Sequence, residues 1–342
     1  MGVSDAALLV RALAEPETVL ALDVESWTAL LTMARAERLI GSLAERCAGL
    51  EVPVAVSRIL ADARDAAVEQ RRAALWEAEM ARRALAPLGC PVVLLKGTAY
   101  AAAGLAAGQG RFIGDLDILV PRGWLDAVER ALLAHGWEWV KPDPYDDAYY
   151  RRWMHELPPL IHRERDRMID VHHTILPLTA RPKPDAAALV RQAVPLDNRL
   201  EVLSPEDMVV HATAHLFADG DLAGGLRNLW DIDRLVREFG EEEGFEGRLL
   251  ERARLHQLTP AVERGLRLSH ALYGTPVPER LAKLRSSDRL FRRRLLARDG
   301  WGRPTRPVTE LAFYVRSHWL RMPPAMLARH LWIKWRRGGA TG

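Results

Sequence analysis

The run Arg111-Phe112-Ile113-Gly114-Asp115-Leu116-Asp117-Ile118-Leu119-Val120 sets two carboxylates in alternation with Leu and Ile and closes on an unbroken apolar stretch. Side chains on a β-strand alternate faces with period two. Asp115 and Asp117 therefore share one face, while Leu116 and Ile118 enter the opposite, apolar one. Two like charges on one face repel each other, and partial burial also removes their water, so a fold that keeps them together must compensate them. A divalent cation does so. Hard oxygen ligands on a rigid strand suit Mg²⁺ or Mn²⁺, which keep waters and complete their shell with substrate phosphates. The plainer reading is a pair of turn or cap residues on a solvated surface, and only the surrounding structure separates the two.

Three further features bear on that choice. Upstream, Cys90-Pro91-Val92-Val93-Leu94-Leu95-Lys96-Gly97-Thr98-Ala99 reads as a buried strand over Val92 to Leu95 that breaks at Gly97 and enters an Ala-rich helix over Thr98 to Ala107. Gly97 permits close backbone approach to a ligand, Thr98 is a good N-cap, and a helix start with free N–H groups attracts anions. Lys96 adds a point charge where a phosphate would sit, although Lys-Gly-Thr also serves as an ordinary strand-to-helix turn. Downstream, Leu160-Ile161-His162-Arg163 and Arg167-Met168-Ile169-Asp170-Val171-His172-His173 flank a charged turn and read as a hairpin. Asp170 and His172 then share a face, so a third acid on a neighbouring strand can reach the metal and act as general base towards an acceptor hydroxyl. His172 reads either as a support for a metal-ligating side chain or as a polar residue at a strand end. Arg111, just before the acidic strand, is placed to meet a substrate phosphate or pair with an acid.

These segments together resemble the nucleotidyltransferase superfamily typified by DNA polymerase beta, and more closely its bacterial uncharacterised nucleotidyltransferase family. The likeness rests on Leu95-Lys96-Gly97-Thr98, on Arg111 followed by Gly114-Asp115-x-Asp117-Ile118-Leu119-Val120, and on Ile169-Asp170-Val171-His172. It covers about Pro87 to Leu200. It extends more weakly from His211 through Leu235, where Leu226-Arg227-Asn228-Leu229-Trp230-Asp231-Ile232 looks like the family's helical-domain signature. The resemblance implies a small mixed sheet, an NTP such as ATP bound through two metals, and transfer of a nucleoside monophosphate with pyrophosphate leaving. By its motif, Gly97 and Thr98 belong to the triphosphate, Asp115 and Asp117 to the metals, and Asp170 is the third carboxylate. Two departures are visible: the turn is Gly-Thr rather than Gly-Ser or Gly-Gly, and Gly97 stands further from Asp115 than in the usual pattern.

The rest of the chain sets bounds. Its 342 residues are 49% hydrophobic and 27% charged, an ordinary globular composition. No apolar run approaches the ~20 residues of a spanning helix. The opening Gly2-Val3-Ser4-Asp5 lacks the positive segment of a signal peptide. Cys47 and Cys90 stand in no motif, which fits a reducing cytoplasm and argues against structural zinc. Basic residues are nearly all Arg, with Lys only at 96, 141, 183, 283 and 334, which makes Lys96 conspicuous.

The pattern predicts an α+β fold: an N-terminal helical portion over 1–88, a small mixed-sheet α/β core over 89–200, and a C-terminal helical domain over 201–342. The first portion ends in a long helix from Ser57 to Leu88, and Ser204-Pro205-Glu206-Asp207 is a strong helix start. His211 and His215 lie four apart on one helix face, but Ala212 stands where a zinc protease needs Glu, so they are expected to line the cleft as polar contacts. Arg227 and Asp231, also four apart, form either an intrahelical ion pair or a pair facing the nucleotide. After Glu310 the chain has no acid, and Arg316, Arg321, Arg329, Lys334, Arg336 and Arg337 are interleaved with Trp319, Trp332 and Trp335. Such a stretch grips RNA, a membrane surface or an acidic partner, or simply packs its Trp side chains onto its own protein, which is the favoured reading. A net charge of +3 is far from that of a dedicated polyanion binder.

Three functions remain: a metal-dependent nucleotidyltransferase, a catalytically weak nucleotide-binding or scaffold protein of the same fold, and an RNA-binding module using the basic tail. The three carboxylates favour the first. The acceptor, whether RNA, protein, peptide, sugar or another small molecule, is open.

Overall fold

The computed structural model describes residues 5–140, 144–197 and 199–321. Helices α1 (Ala7–Ala14), α2 (Val24–Ala36), α3 (Ile40–Arg46) and α4 (Val54–Leu85) come first. α4 stops three residues short of the predicted end because Ala86–Leu88 tightens into a 3₁₀ turn around Pro87, and Gly89 takes a positive φ of 64°.

The α/β core follows with β1 (Val93–Leu94), α5 (Lys96–Ala102), β2 (Asp115–Leu119), α6 (Leu125–Ala134) and β3 (Trp137–Trp139). After α7 (Pro144–Trp153), β4 (Leu160–His162) and β5 (Met168–His172) form the predicted hairpin. α8 (Ala186–Arg191) then leads to a further pair, β6 (Val194–Pro195) and β7 (Glu201–Val202). Two-residue strands carry too little alternation to be recognised from pattern alone. All these strands join one seven-stranded mixed sheet in the order β3-β4-β5-β2-β1-β7-β6.

The centre of that sheet positions the acids. β2 pairs parallel with β5, with Asp117 beside Asp170, and antiparallel with β1. Leu116, Ile118, Ile169 and Val171 are buried on the opposite face, and α4 lies against β2, α5 and α6. A one-residue slip of either strand would turn its acids into that apolar layer, so burial fixes the register.

The helical part continues with α9 (Pro205–Ala214), α10 (Gly225–Phe239), α11 (Phe245–Leu255), α12 (Thr259–Tyr273), α13 (Asp288–Leu295) and α14 (Pro307–Arg321). α9 begins as expected, with Ser204 Oγ accepting from the Asp207 N–H at 3.3 Å. α10 buries Leu226, Leu229, Ile232, Leu235 and Val236 against α9 and α12, and α9 also lies against α5. The helical part is thereby laid along one edge of the acidic face. Buried apolar residues from Leu9 to Phe313 form one continuous cluster.

Among the described residues no helix is long and apolar enough to cross a membrane. Of the basic tail, Arg316 packs inward: it donates to the Phe217 carbonyl at 2.7 Å and its guanidinium lies 4.8 Å from the Phe291 ring centroid. Trp319 carries the Arg181 guanidinium at 4.9 Å. Arg329, Trp332, Lys334, Trp335, Arg336 and Arg337 lie outside the described residues.

Candidate active site

Strand pairing brings Asp115, Asp117 and Asp170 together so that one ligand oxygen from each lies within 4.8 Å of the others. Asp115 is exposed, Asp170 partly covered and Asp117 buried. Asp117 Oδ1 accepts from Lys96 Nζ at 2.6 Å and from His172 Nε2 at 2.9 Å. Burial acts to raise the Asp117 pKa, but the Lys96 charge and the His172 hydrogen bond outweigh it and hold the carboxyl far below its usual range. Asp170 goes the other way. Burial, and then the charges of Asp117 and Glu156, push it up to about 7. The group is short of positive charge, and the deficit falls on Asp170.

Lys96 reaches Asp117 because the chain turns sharply out of β1. Its backbone takes a φ of 49°, an uncommon value for a residue other than glycine. This corrects the expected turn. α5 starts at Lys96, so Thr98 is not the cap but lies within the first turn, buried, with its hydroxyl lacking a hydrogen-bond partner. The helix also ends at Ala102 rather than Ala107, because Gly104 takes a positive φ of 71°. Gly97 has a different use from the one expected: a Cβ there would stand 2.5 Å from Arg111 Nε. Glycine lets the Arg111 side chain cross the helix start, and that side chain occupies the close approach.

Arg111 is itself buried, with Nη1 2.8 Å from Asp231 Oδ2 and its guanidinium 5.6 Å from the Tyr100 ring centroid. Of the two readings of Arg227 and Asp231, the intrahelical ion pair does not form: Asp231 is hydrogen-bonded to Arg111, and Arg227 reaches Asn228 Oδ1 at 3.4 Å. The Arg111 charge and burial hold Arg227 down to about 10. Lys96, Arg111, Arg227, His211 and His215 line one small cavity with Asp231. Burial, helped by the charges of Lys96 and His172, brings His211 down to about 3, and burial places His215 well below its usual value. The histidines therefore line the cavity neutral near pH 7, as polar contacts. This side of the cleft has more cations than anions, the reverse of the triad beside it.

A family model described as an uncharacterised nucleotidyltransferase matches residues 23–274. The chain belongs to that family. The matched span runs from the start of α2 to the glycine after α12, so both walls of the cleft lie within the family region. No curated protein matches it.

The donor set of the triad fits a hard divalent cation: three carboxylates, one left largely to solvent, with positive charge in deficit. The hydrogen bonds from Lys96 and His172 to Asp117 both fall on Oδ1. Two residues escaped the sequence reading. His155 and Glu156 lie against the end of β5, where Glu156 bridges His172 and its Oε2 stands 3.3 Å from His172 Nδ1. Neither residue has a spacing that singles it out, and their nearness to His172 arises only from the strand pairing.

Proposed function

We propose that the chain transfers a nucleoside monophosphate from an NTP to an acceptor hydroxyl with release of pyrophosphate, using a divalent cation held by Asp115, Asp117 and Asp170. One observation carries this reading: a carboxylate group short of positive charge faces a cavity short of negative charge, with Lys96 at the junction. A polyphosphate with its cation satisfies both sides at once. When bound, Mg²⁺ or Mn²⁺ would neutralise part of the triphosphate charge and polarise the transferred phosphoryl group.

The residues divide the remaining work. His172 orients Asp117 through its hydrogen bond. Asp170, the third carboxylate, accepts the proton of the acceptor hydroxyl as its oxygen bonds to the α-phosphorus. The bond from that phosphorus to the bridging oxygen of pyrophosphate breaks. Lys96, Arg111 and Arg227 meet the charge that develops on the departing pyrophosphate, beside the Gly97-Thr98 turn. Asp231 holds Arg111 in place. In this reading the core over 89–200 supplies the acids, and the helical domain over 201–342 supplies the second wall.

Calorimetric titration with each NTP, with and without Mg²⁺, tests the reading. Binding that requires Mg²⁺, together with transfer of α-phosphate label to a component of a cell lysate, is the expected result. Mg²⁺-dependent binding with no labelled product in any lysate would favour a nucleotide-binding scaffold, and equal binding without Mg²⁺ would remove the triad from the site.

A further inference from the structure

A second set of ligating side chains adjoins the triad through His172. One ligand atom each from His155, Glu156 and His172 lies within 4.8 Å of the other two. Main-chain bonds hold the set in place: the His173 N–H donates to the His155 carbonyl at 2.8 Å, and the Leu157 N–H donates to the Val171 carbonyl at 2.9 Å. Glu156 Oε2 stands 3.3 Å from His172 Nδ1 and 3.7 Å from His155 Nε2. Two ligands bound at about 2.0–2.1 Å to one tetrahedral cation are separated by roughly 3.3–3.4 Å, the spacing that Glu156 and His172 already have.

The hydrogen bonding points the same way. His172 Nε2 lies 2.9 Å from Asp117 Oδ1, and an ionised carboxylate only accepts, so Nε2 carries the proton. The Nδ1 edge then faces the Glu156 carboxylate, where a proton on Nδ1 or a cation between the two satisfies both. A carboxylate that fixes the outer nitrogen of a histidine is the usual support of an imidazole metal ligand. His155 is 9% exposed, and its Nδ1 has no hydrogen-bond partner. Two imidazoles and one carboxylate also differ in kind from the all-oxygen triad: imidazole selects zinc, iron and similar ions over magnesium.

We propose that His155, Glu156 and His172 form a second cation site, selective for a divalent transition metal of the Zn²⁺ type and coupled to the triad by the His172–Asp117 hydrogen bond. A cation there fixes the His172 tautomer and so fixes the orientation of Asp117. The site stands whether or not the chain transfers nucleotides.

The test uses the full chain without an added histidine tag, stripped with a chelator and then titrated with Co²⁺ in excess Mg²⁺, which occupies carboxylate-only sites. One equivalent of Co²⁺ should bind with visible d–d absorption and be displaced by Zn²⁺. Proton NMR of the cobalt form should show paramagnetically shifted, solvent-exchangeable imidazole resonances from two histidines. His155→Ala and the near-isosteric Glu156→Gln should each weaken Co²⁺ binding at least about tenfold, while Asp115→Asn leaves it unchanged. The proposal is overturned if the wild-type chain binds no Co²⁺ in Mg²⁺ or shows no shifted imidazole resonances. It is equally overturned if binding survives both ligand substitutions or disappears with Asp115→Asn.

Discussion

The helical part and the sheet treat buried carboxylates in opposite ways. Asp207, Asp233 and Asp288 are all fully buried in the helical part, and each is neutralised there by arginine. Asp207 takes Arg252 Nε at 2.8 Å and His256 at 3.2 Å. Asp233 takes Arg237 and Arg234, and Asp288 takes Arg267 at 2.6 Å and Arg264 at 3.0 Å. In the sheet, three carboxylates crowd together with one lysine, and among the described residues no arginine contacts Asp115 or Asp170. A chain rich in arginine uses it wherever an acid has only a structural part. The triad lacks that arginine, and on the proposed reading a divalent cation takes its place there.

Two substitutions should break that contrast most visibly. Asp117→Asn removes the most buried acid of the triad while keeping its shape. Mg²⁺-dependent transfer should fall about a thousandfold or more, several kcal/mol of transition-state stabilisation, with the circular dichroism spectrum retained. Undiminished Mn²⁺ affinity in this variant would remove Asp117 from the site. Arg252→Ala is the counterpart in the helical part. It leaves His256 as the side-chain partner of Asp207 in the core, and breaking one partner of a buried pair costs about 3–5 kcal/mol. Urea unfolding should register that loss while NTP affinity in the surviving native protein stays unchanged.

Asp170 sharpens the comparison through pH. Its folded-state pKa of about 7 lies above the 3.8 of a free side chain, so the native state holds the proton more tightly. That contribution to stability is complete below about pH 4 and is lost as pH rises to about 7. Without divalent cation, Asp170→Asn should therefore become more stable than the wild type over this interval, by on the order of 2 kcal/mol once its partial exposure is allowed for. Mg²⁺ should narrow the gap by stabilising the wild type more than the variant, and kcat should fall by more than NTP affinity does. A gap that does not vary with pH would show that Asp170 is not the carboxylate carrying the deficit.

Much of this arrangement was legible in the sequence because it follows from periodicity. Alternation at Asp115-Leu116-Asp117-Ile118 gave the strand and its two faces, and the polar turn between His162 and Met168 gave the hairpin that brings Asp170 alongside. What escaped depends on single-residue backbone choices and on tertiary pairing. The positive φ at Lys96 shifts the start of α5 and sends Thr98 inward, a departure no propensity encodes for lysine. Asp231 has Arg227 at helical spacing, yet it is Arg111, 120 positions away, that forms the bond. His155 and Glu156 join the site only through pairing against β5, which local pattern does not carry.

Arg227 offers the smallest effect and the finest discrimination. It shares the cavity with Arg111, which takes the hydrogen bond of Asp231, so Arg227 sits in repulsion with its neighbour and is held down to about 10. A structural arginine of the Arg252 kind loses stability when removed. Arg227→Ala should instead leave stability within about 0.5 kcal/mol or raise it slightly, since relief of like charge offsets the lost packing. A triphosphate supplies the missing anion, so NTP affinity should weaken about tenfold, the 1.4 kcal/mol typical of one charged hydrogen bond. Nucleoside affinity should stay the same, because the lost partner is phosphate. Equal loss for nucleoside and NTP would move Arg227 to the base or ribose, and a marked fall in stability would class it with the structural arginines of the helical part.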